Sequence, residues 1–228
     1  MKLCKLMWLA ETEKLLRELS EYKEIESFIF TGGSALSYYL KHRFSEDIDF
    51  FYSASSNILD KKNVRKLIDK LSNKNYKIIN TLDEEEQLDF YIGNVKNTFC
   101  AYSKFGHLLQ KNNKILFGNI KIADLDVLTA MKVDALIGRE KIRDYYDLYA
   151  ISKKCGFKKI IDDSLKVNSN FNTKLFIKRL IEMDDKLTDI YIDDYLKPKY
   201  SIDRVSIRIY FEEQIDNYIS ANYIKSIK

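Results

Sequence analysis

Cysteine is scarce in this chain of 228 residues, and Cys4, Cys100 and Cys155 are scattered without paired spacing. That excludes a disulfide framework and a thiolate zinc site, and it suits a reducing cytosol. His107 has no second histidine or cysteine at ligand spacing, so it reads as a structural residue between strands. No apolar stretch is long enough to span a membrane. The opening Met1 to Ala10 resembles the start of a signal peptide, but Glu11 and Glu13 end its apolar run too soon. Proline is limited to Pro198 and carries no chemical message. Repeats and low-complexity segments are absent, and 46% hydrophobic against 32% charged residues excludes disorder. A net charge of +4 permits a polyanionic partner without requiring one.

What is present centres on two short stretches. Phe28-Ile29-Phe30 is a β-prone run broken by Gly32-Gly33, and Ser34 to Leu40 follows as a helix with Ser34 expected as its N-cap. A strand, two glycines and a helix N-terminus make an anion site, because unpaired N–H groups and the positive dipole end point the same way. The next strand carries Asp47 and Asp49 around Ile48, and side chains two apart on a strand share one face. Two such carboxylates repel, and a divalent cation relieves the repulsion, with Mg²⁺ bound by carboxylates and substrate phosphates a common arrangement. A phosphate cradle beside a metal-binding pair outlines phosphoryl or nucleotidyl transfer.

Around this centre, residues 7–20 are expected as a helix covering one face of a sheet. Leu59 to Leu71 reads as a second amphipathic helix whose other side carries Lys61, Lys62, Arg65, Lys66, Lys70 and Lys74. That side is either a solvated face or a contact to RNA backbone. Strands follow at 76–81, 87–92 and 97–102, then a hairpin turning at Gly118-Asn119. Leu88, Phe90 and Ile92 alternate against Asp89, which faces away from the core. From Leu125 helices take over: one runs to Ile137 and ends at Gly138, and the next carries Arg139 to Ala150. Asp184-Asp185 reads as a cap or loop, and residues 204–211 alternate as in a strand but also allow a helix continuing through Ile215 and Tyr218-Ile219, which is the preferred reading. A boundary near 124 gives two parts, 1–124 and 125–228, working as one unit with a cleft between them.

The spelling Gly-Gly-Ser-Ala-Leu … Arg-Phe-Ser-Glu-Asp-Ile-Asp-Phe-Phe resembles the nucleotidyltransferase superfamily, in particular its AbiEii/AbiGii toxin branch. The resemblance implies an α+β fold, a nucleotidyltransferase-like mixed sheet flanked by helices, with a C-terminal helical region. It implies that Arg43 and Ser45 help order the site, and that Gly32, Gly33 and Ser34 hold phosphates. Asp47 and Asp49 would hold two Mg²⁺ ions, with Mn²⁺ a substitute. Asp89 matches the superfamily's third carboxylate by position, as metal ligand or base, against a reading as a surface strand residue. Lys132 and the Arg139/Arg143-Asp144-x-x-Asp147 segment match the branch's second motif. A triphosphate leaves negative charge that a lysine or arginine from a facing helix would complete, although Arg143–Asp147 also has ordinary helix-pair spacing. The implied activity moves NMP from an NTP to an acceptor, in some members RNA. Such a toxin works against a cognate antitoxin in a toxin–antitoxin or phage-defence pair, in the cytoplasm and without a membrane. The alternatives are a nucleotide-binding protein without turnover and a small-molecule (antibiotic) nucleotidyltransferase.

Overall fold

The computed structural model describes residues 8–54, 56–139, 141–168, 171–183 and 197–227. Cys4, the first seven residues and Asp184-Asp185 therefore lie outside the described residues. Two compact units divide at Leu128/Thr129, inside the helix that begins at Leu125.

The first unit is built on a seven-stranded mixed sheet of order β3-β4-β5-β2-β1-β7-β6. Its strands are β1 (Phe28–Thr31), β2 (Ile48–Tyr52), β3 (Ile78–Glu84), β4 (Gln87–Ile92), β5 (Val95–Cys100), β6 (Asn113–Phe117) and β7 (Ile120–Ala123). The helices are α1 (Ala10–Leu19), α2 (Gly32–Leu40), α3 (Lys61–Asn73) and α4 (Ser103–Lys111). β1 and β2 are antiparallel at the centre, each with a parallel neighbour, β7 and β5 respectively. All four residues of β1 are buried.

Alternation gives the sheet two different faces. Register stacks Phe30 on Phe50 and Phe50 on Phe99. Phe99 is also 5.0 Å from Phe28 and 5.7 Å from Phe90 between ring centroids. These five phenylalanines are fully buried and form the core on that side. The opposite face carries Thr31, Asp49, Thr98 and Asp89, which are successive register partners across β1, β2, β5 and β4. The aromatic face thus fixes the register of a polar row on the other side, since a slip of one residue would exchange the two.

Several local expectations shift. α1 starts at Ala10 rather than residue 7, because Trp8 is pulled into a bridge with Ser45 and buried against Phe30. α3 starts two residues late, after Asp60, whose side chain accepts from the Lys62 N–H. His107 lies on α4 and is exposed, not between strands. β5 ends at Cys100, and Gly118 turns the β6–β7 hairpin with a φ of +52°.

The second unit comprises the rest of α5 (Leu125–Gly138) with α6 (Ile142–Cys155), α7 (Phe157–Val167), α8 (Thr173–Ile181) and α9 (Arg204–Ile227). Phe157 meets Phe176 and Phe211 at 6.3 and 6.1 Å, joining α7, α8 and α9. Ile207, Phe211 and Ile215, four residues apart, are the buried stripe of α9.

Candidate active site

Gly32 opens α2 with a φ of +71°, a left-handed conformation that glycine adopts without the penalty a side chain would bring. A Cβ there would stand 2.0 Å from Asp49 Oδ2, so the carboxylate occupies the space glycine leaves. At Gly33 a Cβ would stand 2.6 Å from Arg43 Nη2 and 3.5 Å from Ser45 Oγ. The two glycines therefore admit an anion-bearing residue and a guanidinium to the helix N-terminus, one each.

Ser34 is not the N-cap. It lies in the first turn, and its hydroxyl is 2.8 Å from Ser45 Oγ and donates to the Asp47 carbonyl. The loop before β2 is thereby tied to the glycine helix. The N-terminal segment ties it again: Leu9 N–H donates to the Ser45 carbonyl (3.2 Å) and Thr12 Oγ1 to the Glu46 carbonyl (2.7 Å). The Trp8 indole N–H donates to the Ser34 carbonyl at 2.8 Å. Arg43 is buried and donates to the Phe44 carbonyl at 3.1 Å.

Asp89 is buried too, and each of its oxygens is engaged. Oδ1 accepts from Gln87 Nε2 at 2.8 Å, and Oδ2 pairs with Lys96 Nζ at 2.9 Å. The Asp89 hydrogen bond, then the fields of Asp89, Asp47 and Asp49, push the Lys96 ammonium above the ordinary lysine range, against the opposing effect of burial. All three carboxylates thus act on one lysine. Cys100, two residues beyond Thr98 on the same strand, has its thiol pushed up to about 11, first by burial and then by nearby carboxylates led by Asp89. Among the described residues no three His, Cys, Asp or Glu side chains converge as a cage of their own. The donors present are hard oxygens, two of them separated by one residue beside a helix N-terminus. They suit a divalent cation that takes its remaining ligands from phosphates and water.

In the second unit, Lys132 Nζ lies 2.9 Å from Asp144 Oδ1 and 3.0 Å from Asp147 Oδ2. Arg139 Nε pairs with Asp144 Oδ2 at 3.2 Å. Lys132, Asp144 and Asp147 are all buried, whereas 55% of the Arg139 side chain is exposed. The second motif is therefore one ion cluster in which two aspartates share two cations.

Residues 14–104 match the family described as Nucleotidyl transferase AbiEii toxin, Type IV TA system. This stretch is similar to an AbiEii nucleotidyltransferase domain. The matched stretch holds the glycine turn, Arg43, Ser45, Asp47, Asp49, Asp89 and Lys96, while Lys132, Arg139, Asp144 and Asp147 follow it. The chain is 26% identical over 214 residues to the uncharacterized protein aq_aa25 of Aquifex aeolicus, spanning 92% of this chain and 96% of that one. Its fold is similar to a crystal structure from H. pylori, provisionally described as a nucleotidyltransferase (TM-score 0.50, 19% identity, 96% of each chain). It is also similar to MenT4, a nucleotidyltransferase toxin from Mycobacterium tuberculosis H37Rv (TM-score 0.53, 13% identity, 90% of this chain and 84% of that one). At such identities the likeness is one of fold, and it agrees with the α+β architecture expected from the sequence. The family matched by residues 14–104 is one of enzymes, nucleotidyltransferases.

Sequence reasoning missed Lys96, Gln87 and Thr98. The alternation of β5 places Lys96 and Thr98 opposite Phe99, but their meeting with Asp89 depends on strand register, which no local pattern spells.

Proposed function

We propose that this AbiEii nucleotidyltransferase transfers NMP from an NTP to an RNA acceptor, as the toxin of a pair with a cognate antitoxin, in the cytosol where NTPs are abundant. The observation that carries the reading is the Asp49 carboxylate seated over Gly32 at the N-terminus of α2, which brings carboxylate and anion site together.

Asp47 and Asp49, with Asp89 as third carboxylate, would hold Mg²⁺, two ions in the full site, whose chemistry is to neutralise the triphosphate and lower the barrier for the attacking hydroxyl. The Gly32 and Gly33 amides, with Ser34 and Ser45 fixing the turn, orient the phosphates. Arg43 contributes a charge that burial keeps weakly screened. In the transfer a bond forms between the acceptor oxygen and the α-phosphorus. The α–β bridging bond breaks, and pyrophosphate leaves with that electron pair. Within the second unit, Asp144 positions Lys132 and Arg139.

The test is incubation with each of the four NTPs, labelled at the α-phosphorus, with Mg²⁺ and total RNA. Label in RNA that vanishes in Asp49→Ala supports the reading. NTP binding without transfer to RNA, protein or small molecules would replace it by a non-turnover binding protein.

A further inference from the structure

We propose that Lys96 is a resident counter-cation of the carboxylate row, a positioning residue that competes with a divalent cation for Asp89. The inference rests on the reading of Asp47, Asp49 and Asp89 as the metal-holding carboxylates.

The two partners of Asp89 differ in kind. Gln87 holds Oδ1 by a neutral amide from within the same strand. Lys96 reaches Oδ2 from β5 with a full charge, at 2.9 Å. Exposure differs as well: the Asp89 side chain is 7% exposed and the Lys96 side chain 36%. The carboxylate is therefore fixed, while the ammonium has an open side through which it can leave. Asp49 and Asp89 share one face of the sheet, where carboxylates repel one another, and a buried one without a partner is costly. Lys96 relieves both penalties without any metal. It also adds a positive charge that opposes a divalent cation nearby, and it occupies Asp89 Oδ2. Lys96 thus stabilises the empty site and weakens metal affinity, and metal loading releases it from Asp89.

Mn²⁺ alone, without nucleotide, is the probe, and unbound Mn²⁺ is counted by its paramagnetic resonance signal. Lys96→Met is expected to bind Mn²⁺ at least about tenfold more tightly than wild type. It should melt lower in EDTA and gain more in melting temperature when Mn²⁺ is added. Lys96→Arg should restore wild-type behaviour. In the unmodified protein, Mn²⁺ should raise acetylation of Lys96 by an amine-reactive ester severalfold, read by mass spectrometry, so the inference stays testable even if Lys96→Met misfolds. Unchanged or weaker Mn²⁺ affinity in a folded Lys96→Met, or Lys96 acetylation that is unchanged or suppressed by Mn²⁺, overturns the proposal. Asp49→Ala separates the two readings. If Mn²⁺ binding survives it, the metal-site reading fails and takes this inference with it. If Asp49→Ala abolishes binding while Lys96→Met matches wild type, only the role of Lys96 falls.

Discussion

Gly32 has two separate reasons to be glycine, its left-handed backbone and the Asp49 oxygen in its Cβ space. Gly32→Ala should lose about 1–2 kcal/mol to backbone conformation alone, and more from displacing Asp49. Calorimetric melting and NTP titration should show a lower Tm together with lost binding. Asp49→Ala should instead abolish transfer while Tm without metal holds or rises, since a repelling carboxylate has been removed. Lys132 behaves differently again. Its removal takes a shared cation from the buried Asp144 and Asp147, so Lys132→Ala should cost about 3–5 kcal/mol in denaturant unfolding, whatever it does to rate. A rate defect in that variant is interpretable only after its fold is checked. The residues near the glycine turn were legible because Gly32 to Asp49 fall within one short stretch with two known periodicities. Lys96 was not, because a lone lysine on a strand gains meaning only from the strand paired with it.

Among elements, α3 shows how a pattern can be right and its surroundings unseen. The amphipathic face is as expected, with Val64, Leu67 and Leu71 inward. Its basic side, however, is partly answered by acids distant in sequence. Asp83 pairs with Lys61 and Arg65 at 2.6 and 3.1 Å, and Glu24 pairs with Lys70 at 2.7 Å. The face offered to a polyanion is therefore weaker than the lysine count suggests. Reversing Lys62, Arg65 and Lys66 to glutamate should leave Tm nearly unchanged, because exposed ion pairs contribute little. If α3 contacts RNA, the reversal should cut RNA labelling and flatten its salt dependence, while NTP binding persists. Equal labelling at every salt concentration removes α3 from the acceptor site. α4 escaped notice for a different reason: no N-cap side chain marks its start and Gly106 sits mid-helix, which obscured the apolar spacing of Phe105, Leu108 and Leu109.

For the whole molecule, the shifted groups predict a stability plateau with two edges. Hydrogen bonds from Lys74 to Glu18 and from Lys70 to Glu24 hold both carboxyls below their ordinary value of 4.5. Their contribution is present above that value and is lost as pH falls below it. Burial raises Tyr22, Tyr39, Tyr149 and Tyr210 above their ordinary 10.0, and the Cys100 thiol from 9.0 to about 11. A raised folded pKa contributes fully below the ordinary value and is lost as pH climbs past it. Tm measured from pH 3 to about 11 should therefore fall at both ends, and a Tm still rising above pH 10 would contradict the tyrosine assignment. The α+β class was implied by the family resemblance, and most elements other than α4 followed from alternation and helical periodicity. The division at Leu128 inside α5 did not, since α5 reads as one uninterrupted helix.

Trp8 is the one tryptophan of the chain, 3% exposed and hydrogen-bonded to the carbonyl of Ser34. Its indole is also stacked on Tyr38 of the same helix at 6.2 Å. The protein consequently carries a single tryptophan, hydrogen-bonded to the turn that would grip the phosphates, among 16 tyrosines that absorb at shorter wavelength. Excited selectively, it should emit at the short wavelengths of a dry surrounding. Its intensity or wavelength should change on nucleotide addition in wild type and stay constant in Gly32→Ala. Occupancy of this enzyme can be followed by light alone, with no dye attached and no acceptor identified.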